Sequence, residues 1–472
     1  MLSKREQNNI VKDNEKLGYL DKLNSTQLII YGFLLLILVG TVLLMLPISW
    51  AEGYEISLVD ALFTSTTSVC VTGLTTVTTA SAWSTFGQVV ILCLIQVGGL
   101  GIITVITMTM LLLRQRISLK ERIFIQESYN LQTLSGMIIF IKRIIKGTFI
   151  VEGIGAIFYA IRYVPRFGFK KGVFAAVFNS VSAFCNAGMD IVGETSLEAY
   201  ATDPIINGVT MVLIILGGIG FVVWFDVIDT YKSIKSEGGK LRRIFSRLTL
   251  HSKLAIWVTF VLLFSGTVLF LAFEYNNPQT IGNMNLFEKI QASTFQSVTT
   301  RTAGFLTIPQ QNFRAASTII SILLMFIGGS PTGTAGGVKT TTVAMVILTV
   351  FSVAKGNQET EVFKRRISSE NIRSGLAVIV FALFIVIGGI IGLSITEDAD
   401  IIDITFEVVS AIATVGLTRG ITASLTIIGK LIIIVIMYLG RIGAITLAFA
   451  FLIKKNNLNS VRELPEKKII VC

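Results

Sequence analysis

The chain has 472 residues, 52% of them hydrophobic and only 15% charged, and its formal net charge is +11. Apolar runs such as 28–47 and 423–440 are long enough to cross a bilayer, which excludes an ordinary soluble globular protein. The basic excess excludes a nucleic-acid partner once it is mapped: Lys and Arg gather in five segments (1–26, 114–146, 232–253, 339–373 and 454 onward), while stretches between apolar runs such as 51–60 and 396–403 are acidic. By the positive-inside rule the five basic segments are cytoplasmic, so both termini are expected inside and the number of spans is expected to be even.

In chain order, residues 1–26 are polar, and the apolar run 28–47 is too long for a signal peptide, so it reads as a retained membrane helix. The acidic stretch AEGYEISLVD (51–60) leads into a half-length apolar segment, 58–69, which is too short to span. It ends in Val71-Thr72-Gly73-Leu74, and a longer helix expected over 87–113 carries Gly98-Gly99-Leu100-Gly101. The same order recurs three times. A first helix expected at 138–160, a half-segment at 173–184, Asn186-Ala187-Gly188-Met189 and a second helix at 205–231 with Gly217-Gly218-Ile219-Gly220 form the next unit. Then come 254–274, 286–299, Thr302-Ala303-Gly304-Phe305 and 313–350 with Gly328-Gly329-Ser330. Last are 374–395, 402–413, Thr414-Val415-Gly416-Leu417 and 423–453 with Gly440-Arg441-Ile442-Gly443.

The loop glycines lie 115, 116 and 112 residues apart, and the second signature follows each by 25, 29, 24 and 24 residues. Glycine alone is common in membrane helices, where it permits close packing, but two tetrads in one order mark a repeat. The expected fold is therefore an all-α integral membrane protein of eight spans. Four tandem units of helix, re-entrant pore loop and helix surround a pseudo-fourfold pore. The boundaries are a cytoplasmic segment 1–26 and units 27–130, 131–240, 241–360 and 361–472, the last with a short cytoplasmic tail.

Unpaired backbone at membrane depth is tolerated only where protein buries it or water wets it. Four loops about one axis provide such a cavity. Glycine reaches backbone angles that other residues avoid, so a tripeptide closing on glycine can aim carbonyls at a dehydrated cation. The half-helices would present their partly negative carboxyl ends to the same place. The candidate filter residues are thus Val71, Thr72, Gly73, Asn186, Ala187, Gly188, Thr302, Ala303, Gly304, Thr414, Val415 and Gly416, none of them acidic.

On these motifs the chain resembles the Trk/Ktr/HKT superfamily of potassium transporters, and within it the membrane subunit of the bacterial Ktr system, over essentially its whole length. Thr414-Val415-Gly416 looks like the start of a potassium-channel filter. The resemblance implies potassium uptake across the plasma membrane, a homodimer with one pore per protomer among membrane lipids, and a cytosolic nucleotide-binding regulatory ring of the KtrA/KtrC type. ATP or ADP is then expected on that partner, with no cofactor bound covalently to this chain. One departure leaves the third loop's register open: Phe63, Phe178 and Phe406 stand ten residues before their glycines, whereas Phe295 stands nine before Gly304.

The run GGSPTGTAGGVKTTT (328–342) cannot remain helical, because proline removes a hydrogen bond and glycine weakens the rest. The resemblance makes it an intramembrane gate loop, carried here by Gly328, Gly329, Ser330, Pro331, Thr332, Gly333, Thr334, Ala335, Gly336 and Gly337. A phosphate cradle is the rival reading, but Val338 rather than glycine precedes Lys339. Arg441 stands where the other units carry Gly99, Gly218 and Gly329. A membrane arginine costs roughly 2.5–3.5 kcal/mol and so faces protein or water. It either opposes the gate loop as a barrier to cations or binds backbone carbonyls as a structural residue.

Four cysteines (Cys70, Cys93, Cys185, Cys472) lack metal-ligand spacing, and a single His251 offers no triad, so no enzyme is expected and no metal beyond a monovalent cation at the filter. An alternating-access cation symporter is the alternative. Such folds usually carry inverted repeats, and here all four units begin on the same side. The basic stretches RRIFSR (242–247) and KRR (364–366) are available for docking a regulator.

Overall fold

The structure, a computed structural model, describes residues 25–112 and 136–443. The stretches 1–24, 113–135 and 444–472, and with them the expected cytoplasmic placement of both termini, lie outside the described residues. Within them the protein is mostly helical, with one two-residue hairpin in which β1 (Glu361–Val362) pairs with β2 (Arg365–Arg366).

Four helices are long and apolar enough to cross a membrane: α1 (Ser25–Leu44), α5 (Met137–Phe167), α9 (Leu250–Glu274) and α13 (Ser369–Thr396). Three are apolar nearly all round, as expected where lipid replaces water on the outer face, whereas α5 carries Lys142, Arg143 and Lys146 near its start and Glu152, Arg162 and Arg166 further on. In α1, Ile30, Phe33, Ile37 and Leu44 turn inward, while Leu34, Leu35, Leu38 and Val42 are exposed. A short helix follows each long one: α2 (Leu58–Cys70), α6 (Phe169–Cys185), α10 (Leu286–Thr299) and α14 (Ile401–Ile412). These are the buried centre of the molecule. Thr64, Ser65, Thr66, Thr67 and Ser68 of α2 all have no exposed surface. Two of these hydroxyls back-bond to the preceding turn, Thr66 to the Leu62 carbonyl at 2.8 Å and Ser68 to the Thr64 carbonyl at 2.6 Å.

Two of the second helices differ from the sequence expectation of continuous spans, and a third is interrupted where the run of glycines and proline predicts. The first is broken into α3 (Thr85–Leu100) and α4 (Ile102–Leu112), bent by 101°, and the second into α7 (Pro204–Gly218) and α8 (Phe221–Ser236), bent by 93°. The joints are Gly101 at φ +82° and Gly220 at φ +95°, a region that a helix cannot contain and that L side chains avoid. The third separates further: α11 (Ala315–Phe326) and α12 (Thr340–Ala354) flank a non-helical stretch, 327–339. The fourth, α15 (Ile427–Ile442), ends at Gly443 with φ +89°, and its expected continuation to 453 lies outside the described residues.

The long helices approach the short ones closely at Gly40, Gly155 and Gly266, a set the sequence reading missed. A methyl group at each would strike the hydroxyl of Ser65, Ser180 or Ser297 and a second-helix leucine, Leu94, Leu213 or Leu324. The same serines donate to the carbonyls of Ile37, Glu152 and Leu263, so glycine contact and hydrogen bond form one joint. In the fourth unit Gly389 faces Val408 and Ile436, an apolar version of that joint. One apolar core extends from Ile30 to Ile442 and embraces the ends of all four short helices.

Candidate functional site

The four short helices deliver their carboxyl ends to one place. Two residues before each loop glycine the backbone turns left-handed: Val71 (φ +55°), Asn186 (φ +59°), Thr302 (φ +68°) and Thr414 (φ +49°). Non-glycine residues avoid this region, and each such turn stores roughly 1–3 kcal/mol, a pattern typical of sites whose surroundings over-determine them. The restraint is visible in hydrogen bonds. Thr72, Ala187 and Val415 donate from their amides to Thr67, Ser182 and Ser410, each at 2.8 Å. Gly73 and Gly416 donate to the hydroxyls of those same residues, Thr67 and Ser410.

The third loop reaches the same arrangement by a shorter path. Ala303 bonds to Thr299 only four residues back, so the missing residue is absorbed at the helix end. Thr302 and Gly304 then take up the same backbone turns as their counterparts.

The loop glycines close a ring. A methyl on Gly73 would fall 2.5 Å from the Ala187 carbonyl oxygen, and one on Gly188 would fall 2.5 Å from that of Ala303. One on Gly304 would strike the Val415 carbonyl, and one on Gly416 the Thr72 carbonyl. The order runs first loop, second, third, fourth and back to the first. A cavity of about 170 Å³ opens on one side of the ring and touches all four glycines, Gly73, Gly188, Gly304 and Gly416. Thr75, Thr78, Asp190, Glu194, Ser196 and Thr418 stand in its walls. Each glycine thus abuts the neighbouring loop's backbone, and no side chain can be added at the ring without displacing that backbone.

The stretch 327–339 lies against the other side of the loops. Its Thr334 hydroxyl donates to the Phe184 carbonyl at the end of α6 (3.0 Å), and the Thr334 amide to the Gly217 carbonyl (3.1 Å). Ser330 donates to Gly218 and Phe221 to Thr332, so the stretch is laced into the bend between α7 and α8. A methyl on Gly336 would strike the hydroxyl of Thr414, which brings the stretch directly beneath the fourth loop. Ser330, Thr334 and Ala335 are buried. Thr414 Oγ1 and Asn186 Oδ1, at the same level, are buried without a hydrogen-bond partner.

Three cations hold this stretch by its backbone. Arg441 donates from Nη1 to the Thr334 carbonyl at 2.6 Å and from Nη2 to the carbonyls of Gly98 and Gly99 on the opposite second helix. It therefore binds backbone carbonyls, one of the two roles that the sequence left as alternatives, and one of those carbonyls belongs to the stretch 327–339. Arg301 donates to the Gly328 carbonyl at 3.2 Å, and Lys339 to the Ala335 carbonyl at 2.6 Å. The sequence reading assigned no role to Arg301 or Lys339. The signal for both was a basic residue inside or beside an apolar stretch with no acidic residue near it in sequence.

Gly98, Gly217 and Gly440 complete the frame. A methyl on each would strike the carbonyl oxygen of Val69, Phe184 or Ile412, four residues before the loop glycine in every case. In the first, second and fourth units the second glycine signature thus lets the second helix rest on the end of its own short helix.

The sequence profile of the TrkH family, described as cation transport protein, matches residues 7–462. The chain belongs to the TrkH family. It is 42% identical over 425 residues to Ktr system potassium uptake protein B of Bacillus subtilis, covering 90% of this chain and 92% of that protein. It is 39% identical over 454 residues to the potassium/sodium uptake protein NtpJ of Enterococcus hirae, covering 95% and 98%. Its fold matches the crystal structure of the potassium transporter TrkH from Vibrio parahaemolyticus with a TM-score of 0.69 over 89% of this chain and 85% of that one, at 18% identity. The resemblance read from the glycine motifs is thereby borne out. The protein is a multi-pass membrane protein of a cation transporter family, not of an enzyme family.

Proposed function

We propose that this protein mediates potassium uptake across the plasma membrane through a gated, channel-like filter built from four unlike pore loops. The observation that supports the reading is the closed ring of Gly73, Gly188, Gly304 and Gly416, in which each glycine lies against a backbone carbonyl of the next loop. A dehydrated monovalent cation is the ligand such an aperture suits, since carbonyl dipoles replace its water and no fixed anion stands at the ring. The ion is the cargo, and the chain needs no bound cofactor to pass it.

The wider arrangement belongs to the same proposal. Four tandem units (27–130, 131–240, 241–360 and 361–472) cross the membrane eight times about the pseudo-fourfold axis, with both termini cytoplasmic. Residues 328–338 form the gate, and Arg441 holds it closed. The protein works as a homodimer on a cytosolic nucleotide-binding ring that senses ATP or ADP. The Ktr relatives' names support such a system. The parallel order of the four units favours a channel-like path over alternating access.

Potassium and sodium fluxes into proteoliposomes test the reading, comparing the unsubstituted protein with Gly416→Ser at matched incorporation. A hydroxymethyl group at φ +92°, against the Thr72 carbonyl, should impair potassium flux or reduce its preference over sodium by on the order of tenfold. Flux and preference indifferent to Gly416 would make the ring a packing device and sink the filter.

A further inference from the structure

Directly after the phenylalanine of each short helix stands a polar residue with almost no exposed surface: Thr64, Asn179, Gln296 and Glu407. Buried polar groups must be satisfied, and the four are satisfied differently. Thr64 Oγ1 has no partner. Asn179 donates to the Tyr163 hydroxyl on the long helix α5 at 2.9 Å. Gln296 exchanges hydrogen bonds with Gln310, at 2.7 and 3.1 Å, and Gln310 lies six residues beyond Gly304. Glu407 accepts from Thr418 Oγ1 at 2.7 Å and from Thr422 Oγ1, and Thr422 lies six residues beyond Gly416. Of these four residues, all among those described, only Gln296 and Glu407 tie the strand beyond the loop glycine back to the helix before it.

The fourth tie is the more elaborate. The two threonine hydroxyls lie 2.9 Å apart, and Thr418 accepts from the Gly420 amide. Arg419 between them forms an ion pair with Asp403, one turn before Glu407, and donates to the Gln310 carbonyl at 2.7 Å. The latch of the fourth loop is thus fastened to the latch of the third. A carboxylate suits this place because it has two oxygens that accept from two hydroxyls at once, and charge-assisted bonds are stronger and stiffer than neutral ones.

We infer that Glu407 is a specificity-determining positioning residue: it touches no ion, but by latching Thr418 and Thr422 it fixes the spacing of the fourth loop's carbonyls, and with it the preference between cations of different size. The inference rests on the filter reading above. A carbonyl ring discriminates between ions by small differences in distance and stiffness, so a loosened strand on one side admits the smaller ion while still passing the larger.

The test is the ratio of potassium to sodium flux in proteoliposomes for Glu407→Gln, Glu407→Ala, Thr418→Val and Thr422→Val, with Gly416→Ser in parallel. Glu407→Ala should lower the ratio about tenfold, the scale of a lost charged hydrogen bond, mainly by raising sodium flux. Glu407→Gln keeps one acceptor oxygen and should fall between that variant and the unsubstituted protein. Each threonine substitution removes one donor at nearly constant volume and should lower the ratio roughly threefold, and Thr422→Val, which lies outside the cavity walls, should do so with potassium flux retained. These two variants keep the inference exposed even if Glu407→Ala fails to fold. If both threonine variants retain the full ratio while Gly416→Ser loses it, the latch is overturned and the filter stands. If Gly416→Ser also retains it, the filter reading falls and the latch with it.

Discussion

The ring of loop glycines and the level just beneath it are built from the same four units, yet one is nearly symmetric and the other is not. At the ring, four different tripeptides place a left-handed residue, a carbonyl and a glycine in equivalent positions, even where the third loop is one residue short. Beneath it, two second helices bend at a single glycine, a third opens into the stretch 327–339, and the fourth offers an arginine. An ion stripped of water must be surrounded evenly, so the ring tolerates little difference between its walls. A device that closes the path has to cross the axis from one side, which requires the symmetry to break. The proposed filter and the proposed gate divide along that line.

Arg441 is where the asymmetry can be removed by one substitution. Arg441 spans from the Thr334 carbonyl to the carbonyls of Gly98 and Gly99, so it ties the stretch 327–339 to the far wall. Losing charged hydrogen bonds of this kind costs roughly 1.5–3 kcal/mol each. Arg441→Ala should therefore raise cation flux through the protein, measured without any regulator, by about tenfold or more. Unchanged flux at normal protein yield would leave Arg441 a structural tie and place closure elsewhere.

A second prediction concerns the frame that both levels share. Gly266 meets the Ser297 hydroxyl and Leu324, whereas Gly153, also on a long helix, has nothing within 4 Å of its missing Cβ. Gly266→Leu should lower thermal stability in detergent by about 1–3 kcal/mol, the usual cost of overpacking. Gly153→Leu should leave stability unchanged or raise it slightly, since helix propensity improves and nothing is displaced. Equal effects at the two sites would show that helix propensity rather than close approach decides.

That frame also marks where the sequence stops being legible. The loop glycines and those of the second helices stand out because each pair is separated by 24 to 29 residues, a span fixed by one turn and one return. Gly40, Gly155 and Gly266 precede their loop glycines by 33, 33 and 38 residues and Gly389 precedes Gly416 by only 27, because intervening loops of unequal length disturb the spacing. A spatial repeat is there lost in the numbering. The breaks at Gly101 and Gly220 were hidden for another reason: apolar character continues across them, and hydropathy records burial in lipid rather than direction. The interruption at 328–338 was visible because proline and five glycines together cannot sustain a helix, whereas a single glycine can. Thr418, Thr422 and Glu407 looked like ordinary loop and helix residues, since only the fold brings them within a hydrogen bond of one another.

The smallest expected effect tests whether charge matters on the open side of the ring. Asp190 follows Gly188 by two residues and stands in the wall of the cavity above it. Burial pushes its carboxyl up to about 6, against the Ser196 hydroxyl and the amides of Val192 and Gly193, which hold it down. The carboxylate is therefore present at pH 7 and is neutralised as pH falls through 6. Its pull on incoming cations follows, so uptake at low potassium should drop by roughly twofold between pH 7 and 5, and Asp190→Asn should show the lower rate at both. Stability runs the other way. The folded carboxyl binds its proton more tightly than an unfolded aspartate near 3.8, so the fold gains from this group at low pH and loses that gain as pH rises through 6. Opposite slopes for uptake and for stability, both flattened in Asp190→Asn, would distinguish an electrostatic role at the mouth from a general loosening of the loops, which would move the two together.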